Sequence, residues 1–254
     1  MLHDPLTKLQ CCPTSDGGAS AIIVSESFLN ARPHLRSQAI LIAGQTLATD
    51  SPSLFDRSAM NLVGFGMSQQ AARSALAEAG VQAKDIKVCE LHDCFSANEL
   101  ITLDALGLCE PGKAHEMVRN GDITYGGRCV VNPSGGLISK GHPLGASGIA
   151  QCAELVWQLR GWANNRLVPG TRSALQHNLG LGGAVVCTVY KRADGGANEV
   201  VSSEEVAGRA GGLGYNPAVE AKGFTRAQVD RVRSQKARSE WALGDVGRKV
   251  EARF

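Results

Sequence analysis

Three stretches of this chain put proton-moving side chains beside glycines and the starts of helices. In His92-Asp93-Cys94-Phe95 an imidazole and a thiol lie two residues apart, where an apolar run gives way to a helical pattern. Side chains so placed can share a proton, and the positive end of the following helix would favour a thiolate on Cys94. The plainer alternative is a structural thiol that lies near a histidine by chance. In Gly141-His142-Pro143-Leu144-Gly145 the glycines admit close backbone approach, and the proline sets the turn that aims His142. An idle surface histidine in a glycine loop is the competing reading. In His177-Asn178-Leu179-Gly180, followed by Leu181-Gly182-Gly183, successive backbone N–H groups can form an oxyanion-binding turn, unless the glycines serve only a hairpin. His92, Cys94, His142 and His177 are ligand types that suit zinc, but their spacing matches no metal motif, so no metal site is expected. No stretch completes G-x-G-x-x-G, which argues against a dinucleotide.

The elements that must hold these stretches can be read from periodicity. Residues 39–48 (AILIAGQTLA) and 86–91 (IKVCEL) read as strands, and between them an amphipathic helix over 67–79 ends at Gly80. A helix over 97–106 stops at Gly107, and one more short helix lies near His115. The glycine-rich segment 132–148 passes into a helix through Gln151, Leu155, Val156 and Leu159, and strands over 173–177 and 184–190 close the pattern. That β-α-β-α-α-α-β-β order argues for an α/β fold, a mixed sheet with helices on both faces. The earlier run 19–28, rich in Ala, Ile and Val, reads as a buried strand, the last of a preceding unit. Three parts follow: residues 1–30, a remnant of that unit; residues 31–191, the main domain; and residues 192–254, a flexible linker and a helical tail with helices over 225–233 and 240–252.

Composition excludes several functions. Lys and Arg number 26 against 24 Asp and Glu, and aromatics are 5%, so there is neither the field nor the stacking surface for nucleic acid. No run approaches the roughly 18 apolar residues of a membrane span, and Met1-Leu2-His3-Asp4-Pro5 lacks the features of a signal peptide. The eight cysteines form no C-x-x-C pair, and Cys89, Cys152 and Cys187 sit in apolar runs, so reduced thiols are expected.

Taken in order, His92-Asp93-Cys94-Phe95, Asn132-Pro133-Ser134-Gly135-Gly136, Gly141-His142-Pro143-Leu144-Gly145 and Gln176-His177-Asn178-Leu179-Gly180 resemble thiolases, specifically the sterol carrier protein thiolase branch. The opening Leu9-Gln10-Cys11-Cys12-Pro13-Thr14-Ser15-Asp16-Gly17 fits as well, and the resemblance covers about residues 8–191. It implies a thiolase-like C-terminal half, preceded by a remnant of the N-terminal half in residues 1–30. The implied activity is that of an acyl-CoA C-acyltransferase, which cleaves 3-oxoacyl-CoA by thiolysis or runs the reverse condensation. Coenzyme A thioester is then the substrate, and no cofactor is expected.

By the same resemblance His92 helps hold the thioester oxygen, Cys94 is the acid/base, and His142 activates a nucleophilic cysteine and shares in oxyanion binding. His177, Asn178, Gly180 and Gly182 are the further oxyanion or substrate-binding candidates. The family's nucleophile sits in an apolar-Asn-Cys-Ala-type motif of the N-terminal half, and none of Cys11, Cys12, Cys109, Cys129, Cys152 or Cys187 has that context. The expectation is therefore an incomplete site, completed by a partner chain or present in a homo-oligomer. The alternatives are a non-catalytic acyl-CoA-binding or scaffold protein, and an acid/base retro-aldol lyase on acyl-CoA. The family implies a peroxisomal or cytoplasmic location, and the final Ala252-Arg253-Phe254 only faintly resembles a peroxisomal address.

Overall fold

In the computed structural model of the chain, which describes residues 1–180, 183–209 and the single positions 227 and 231, five strands form one sheet. In chain order the elements are α1 (Glu26–Asn30), β1 (Ile40–Thr49), α2 (Ala59–Leu62), α3 (Phe65–Ala79), β2 (Val88–Glu90), α4 (Ser96–Ala105) and α5 (Ala114–Arg119). They continue with β3 (Val130–Val131), α6 (Gly136–Lys140), α7 (Ser147–Arg160), β4 (Ser173–Gly180), β5 (Ala184–Arg192) and α8 (Ser203–Arg209). All lie in the unit Met1–Lys222. Across the sheet the order is β1-β5-β4-β2-β3; β2 pairs in parallel with both β3 and β4, while β5 is antiparallel to β4 and β1.

Period-two alternation sends neighbouring strand residues to opposite faces, and each face has its own core. Cys89, Leu175, Cys187 and Val189 meet Ala71, Ala72 and Ala75 of α3 and Leu103 of α4 on one side. Val88, Ala174 and Tyr190 meet Leu155 and Leu159 of α7 on the other. The expected mixed sheet with helices on both faces is what the chain forms. Small residues let α3 sit close to the sheet: a Cβ on Gly44 would overlap the Ala75 carbonyl oxygen, and β1 carries an irregularity between Ile42 and Gly44.

Because β3, β2 and β4 run the same way, their carboxyl ends share one edge of the sheet. Asn132, His92 to Cys94, and the end of β4 therefore emerge side by side, where ligands bind in open α/β sheets. The amino-terminal segment crosses this edge: Cys12 N–H bonds to Cys94 O at 2.9 Å, and His142 N–H to Pro13 O at 3.2 Å.

Three expectations need correction. Residues 19–25 join no strand among the described residues, Ile22 and Ile23 are 93% and 80% exposed, and the run ends in α1, capped by Ser25 Oγ. An apolar run becomes a strand only where a neighbour takes its N–H and C=O groups. The segment from Arg192 is anchored at two points: Asn198 is buried, donates to Gln158 O and Val168 O and accepts from Thr171 N–H, and Val206 packs on Trp162. In the glycine-rich stretch two short elements were not foreseen, β3 and α6. Apart from positions 227 and 231, the expected tail helices lie outside the described residues, as does Gly182.

Candidate active site

β2 is a fully buried strand, and it delivers Leu91, His92 and Asp93 to the sheet edge, still enclosed, before α4 begins at Ser96. The His92 backbone is held at both ends. Its N–H points to His177 Nδ1 at 3.4 Å, and its carbonyl accepts from Asn98 Nδ2 at 2.5 Å. On β3's side, Asn132 adopts a left-handed φ of 49° and accepts from the Leu91 N–H through Oδ1 at 2.8 Å, which fixes the chain just before His92.

His142 arrives from the opposite loop. Its ring meets the His92 ring edge-to-face, with centroids 4.9 Å apart and planes at 87°. His142 Nδ1 lies 2.7 Å from Ser147 Oγ, whose hydroxyl donates to Pro143 O at 3.2 Å. With the serine proton used in that way, Nδ1–H is the donor and Nε2 keeps its lone pair for the cleft. Gly141 is needed here, since its φ is 97° and a Cβ would overlap Ser15 Oγ.

Burial keeps both rings neutral at pH 7. Desolvation, with His142 adding a smaller repulsion, pushes His92 down to about 4, and desolvation lowers His142 as well. A neutral imidazole can donate a hydrogen bond to a developing oxyanion without giving up its proton. Cys94 departs from expectation: desolvation, then the neighbouring Cys12, push its thiol up to about 11, so the helix start does not make it a thiolate. A thiol that stays protonated is a proton donor, and its thiolate, once formed, is a strong base.

His177 is brought to this cluster but not to its surface. It is wholly buried, its Nε2 lies 2.9 Å from Ser68 Oγ, and its Nδ1 accepts from His92, so it supports His92 and presents no free nitrogen to a substrate. Burial, then His92, push it down to about 3. Asn178 is half-buried and donates to Gln151 Oε1 on α7 at 3.1 Å, and Gly180 is exposed where β4 turns to β5. The Asn178 amide is thus used to dock α7, and the expected oxyanion turn runs through residues 181 and 182, which lie outside the described residues. Among the described residues, no group of three or more His, Cys, Asp or Glu side chains is arranged to hold a metal.

Several partners were not singled out from sequence. Glu90, Asp93, Asn98, Ser68 and Ser147 carry the hydrogen bonds that aim the rings or fix their loops. One signal was readable: an acidic residue, Glu90, inside the apolar run 86–91, where a solvated charge has no place.

With this geometry in hand, relatives can be compared. The family described as "Thiolase C-terminal domain-like" matches residues 48–191. Sterol carrier protein 2 of Oryctolagus cuniculus is 60% identical over 191 residues, 75% of this chain and 35% of its own length. The non-specific lipid-transfer protein-like 2 of Caenorhabditis elegans is 51% identical over 75% of this chain and 46% of its own. An acetyl-CoA acetyltransferase of Methanothermobacter thermautotrophicus is 38% identical over 76% of this chain and 49% of its own. The chain spans about a third of the length of the sterol carrier relative and about half that of the acetyltransferase. A solved structure titled Ltp2-ChsH2(DUF35) aldolase matches with a TM-score of 0.52 at 23% identity, over 60% of this chain and 39% of that one, a likeness of fold alone. From the matched domain and these identities, the chain belongs to the thiolase superfamily, in its sterol carrier protein thiolase branch.

Proposed function

We propose that this chain carries the acid/base and oxyanion-binding part of a thiolase-type site for acyl-CoA thioesters. The covalent nucleophile comes from an N-terminal half outside these residues, on the same polypeptide or on a partner chain. The carrying observation is the edge-to-face pair of neutral rings, His92 and His142; Cys94, two residues beyond His92, keeps its proton.

In the cleavage direction His142 Nε2 takes the proton of the incoming cysteine thiol, whose sulfur attacks the 3-keto carbon. The bond between the α-carbon and that carbon breaks. Its electron pair forms the enolate of the departing acyl-CoA, which takes the Cys94 proton at the α-carbon. The acyl group stays on the cysteine until the thiol of a free coenzyme A, deprotonated by the Cys94 thiolate, takes it and the cysteine sulfur leaves with the His142 proton. The His92 N–H donates to the thioester oxygen while charge develops there. Coenzyme A thioester is substrate, and the reading needs no further cofactor. A peroxisomal or cytoplasmic location goes with it.

The test is acetoacetyl-CoA cleavage by the chain alone and with an N-terminal thiolase half supplied in trans, with mass spectrometry for an acyl adduct. The chain alone is expected to be inactive and unacylated, and the pair to turn over; Cys94→Ala and His142→Ala each remove that turnover. Stoichiometric acylation of Cys94 with turnover by the chain alone would overturn this reading. Turnover with no adduct would favour a lyase, and acyl-CoA binding without turnover by the pair would favour a binding protein.

A further inference from the structure

The loop that carries His142 follows α6 directly, and α6 is one turn of five residues. A helix that short has no stability of its own, so something outside it must set where it stands. Two carboxylates on the β2 side grip its ends. Asp93, buried between His92 and Cys94, accepts from Leu137 N–H at 2.6 Å through Oδ1, and its Oδ2 lies 3.5 Å from Ile138 N. The approach is so close that a Cβ on Gly136, whose φ is 60°, would overlap the Asp93 carboxylate. Glu90, fully buried at the end of β2, accepts from Ser134 N–H at 3.0 Å and Ser134 Oγ at 2.8 Å. Lys140, the last residue of α6, stands 3.5 Å from Glu90 and also donates to Ser134 Oγ.

We propose that Glu90 and Asp93 are a positioning pair: they fasten α6 to the end of β2 and thereby set the separation of the His142 and His92 rings. The inference rests on the reading of His92, Cys94 and His142 as the working cluster. Asp93 is placed to hold and not to move protons, because both its oxygens face amides of the first turn of α6. Lys140 is joined to His142 through Gly141 alone, so a shift at either end of α6 is passed to the imidazole. The rival account is that burial of Leu137 alone seats the helix.

Imidazole NMR on the full chain separates the two. Asp93→Ala leaves Leu137 in place. It is expected to raise the His142 titration midpoint toward the ordinary 6.5 and to remove the nuclear Overhauser contact between the two rings. Asp93→Asn, which keeps a carbonyl acceptor for the Leu137 N–H, restores most of both signals. Lys140→Met frees the other end of α6 and gives a smaller rise; it decides the question if Asp93→Ala does not fold. An unchanged midpoint and ring contact in folded Asp93→Ala, or in Lys140→Met where that variant must decide, overturns the proposal, as does an Asp93→Asn variant as disturbed as the alanine. Acetoacetyl-CoA binding by the wild-type chain plus the N-terminal half is measured in parallel. Its absence, with the ring signals moving as expected, would sink the functional reading and leave the positioning pair standing.

Discussion

Residues 88–91 and residues 19–25 are both short and rich in apolar side chains, yet one is enclosed and the other bare. Val88, Cys89 and Leu91 are shut away between α7 and the α3–α4 layer, with β3 and β4 on either side, while Ile22 and Ile23 stand in solvent. Hydrophobicity is alike in the two; what differs is the company. A run of this kind is stabilised by neighbours that satisfy its backbone and cover both faces, and the site is built where those neighbours exist.

The sharpest way to break this contrast is a cavity in the enclosed region. Leu175, on β4 beside β2, is fully buried, and Leu175→Ala should lower unfolding stability by about 2–5 kcal/mol in a denaturant titration. A loss below about 1 kcal/mol would mean that this sheet is far looser than its burial indicates. Next in size is a pair of glycines. Gly136→Ala meets the Asp93 carboxylate at a positive φ and should cost about 1–3 kcal/mol. Gly18→Ala, at the exposed residue just before the bare segment and with nothing within 4 Å, should change stability by less than about 1 kcal/mol. Equal effects at the two positions would remove the distinction.

How much of this could be read beforehand divides along the same line. Long alternations and capped helices were legible: β1, α3, α4, α7, β4 and β5 form close to where periodicity puts them, because each has enough residues for its pattern to show. The motif spacing also pointed to the His92 and His142 cluster. β3 and α6 were not legible, since two and five residues carry no period, and glycines mask the start of α6. Nor was the task of His177: a histidine on a strand reads the same whether it lines a cleft or stands behind one. Residues 19–25 misled because composition records the preference for burial and is silent on whether a partner is there.

A smaller effect separates the buried histidines from the buried acids by pH. His177 is held near 3 in the folded chain against an ordinary 6.5, so the stability it contributes is present above pH 6.5 and lost as pH falls toward 3. Glu90 and Glu99, each raised by burial to about 7, act oppositely, contributing stability below pH 4.5 that is lost as pH rises through 7. Comparing wild type with His177→Gln at pH 7 and pH 5 cancels the acids. The variant should lose about 2 kcal/mol less between the two pH values, by the linkage between proton binding and folding. An identical pH dependence in both proteins would mean that His177 is not held neutral.

The smallest change in stability is expected where the chain is bare, and there the informative readout is association. Ile22 and Ile23 make few contacts in the folded chain, so Ile22→Ser with Ile23→Ser should leave the denaturation midpoint within about 0.5 kcal/mol of wild type. Their side chains are nonetheless held in water, as are Leu41 and Leu47 on the edge strand β1, and exposed apolar side chains favour association where they meet in a patch. Sedimentation of the wild-type chain should therefore show self-association that the double serine variant reduces. A variant that unfolds more easily would mean that these residues pack after all, and the contrast with residues 88–91 would fail. A wild-type chain that is monodisperse and monomeric at high concentration would leave the fold untouched but would count against a missing partner surface, since a face that needs no cover in water offers no drive to bind one.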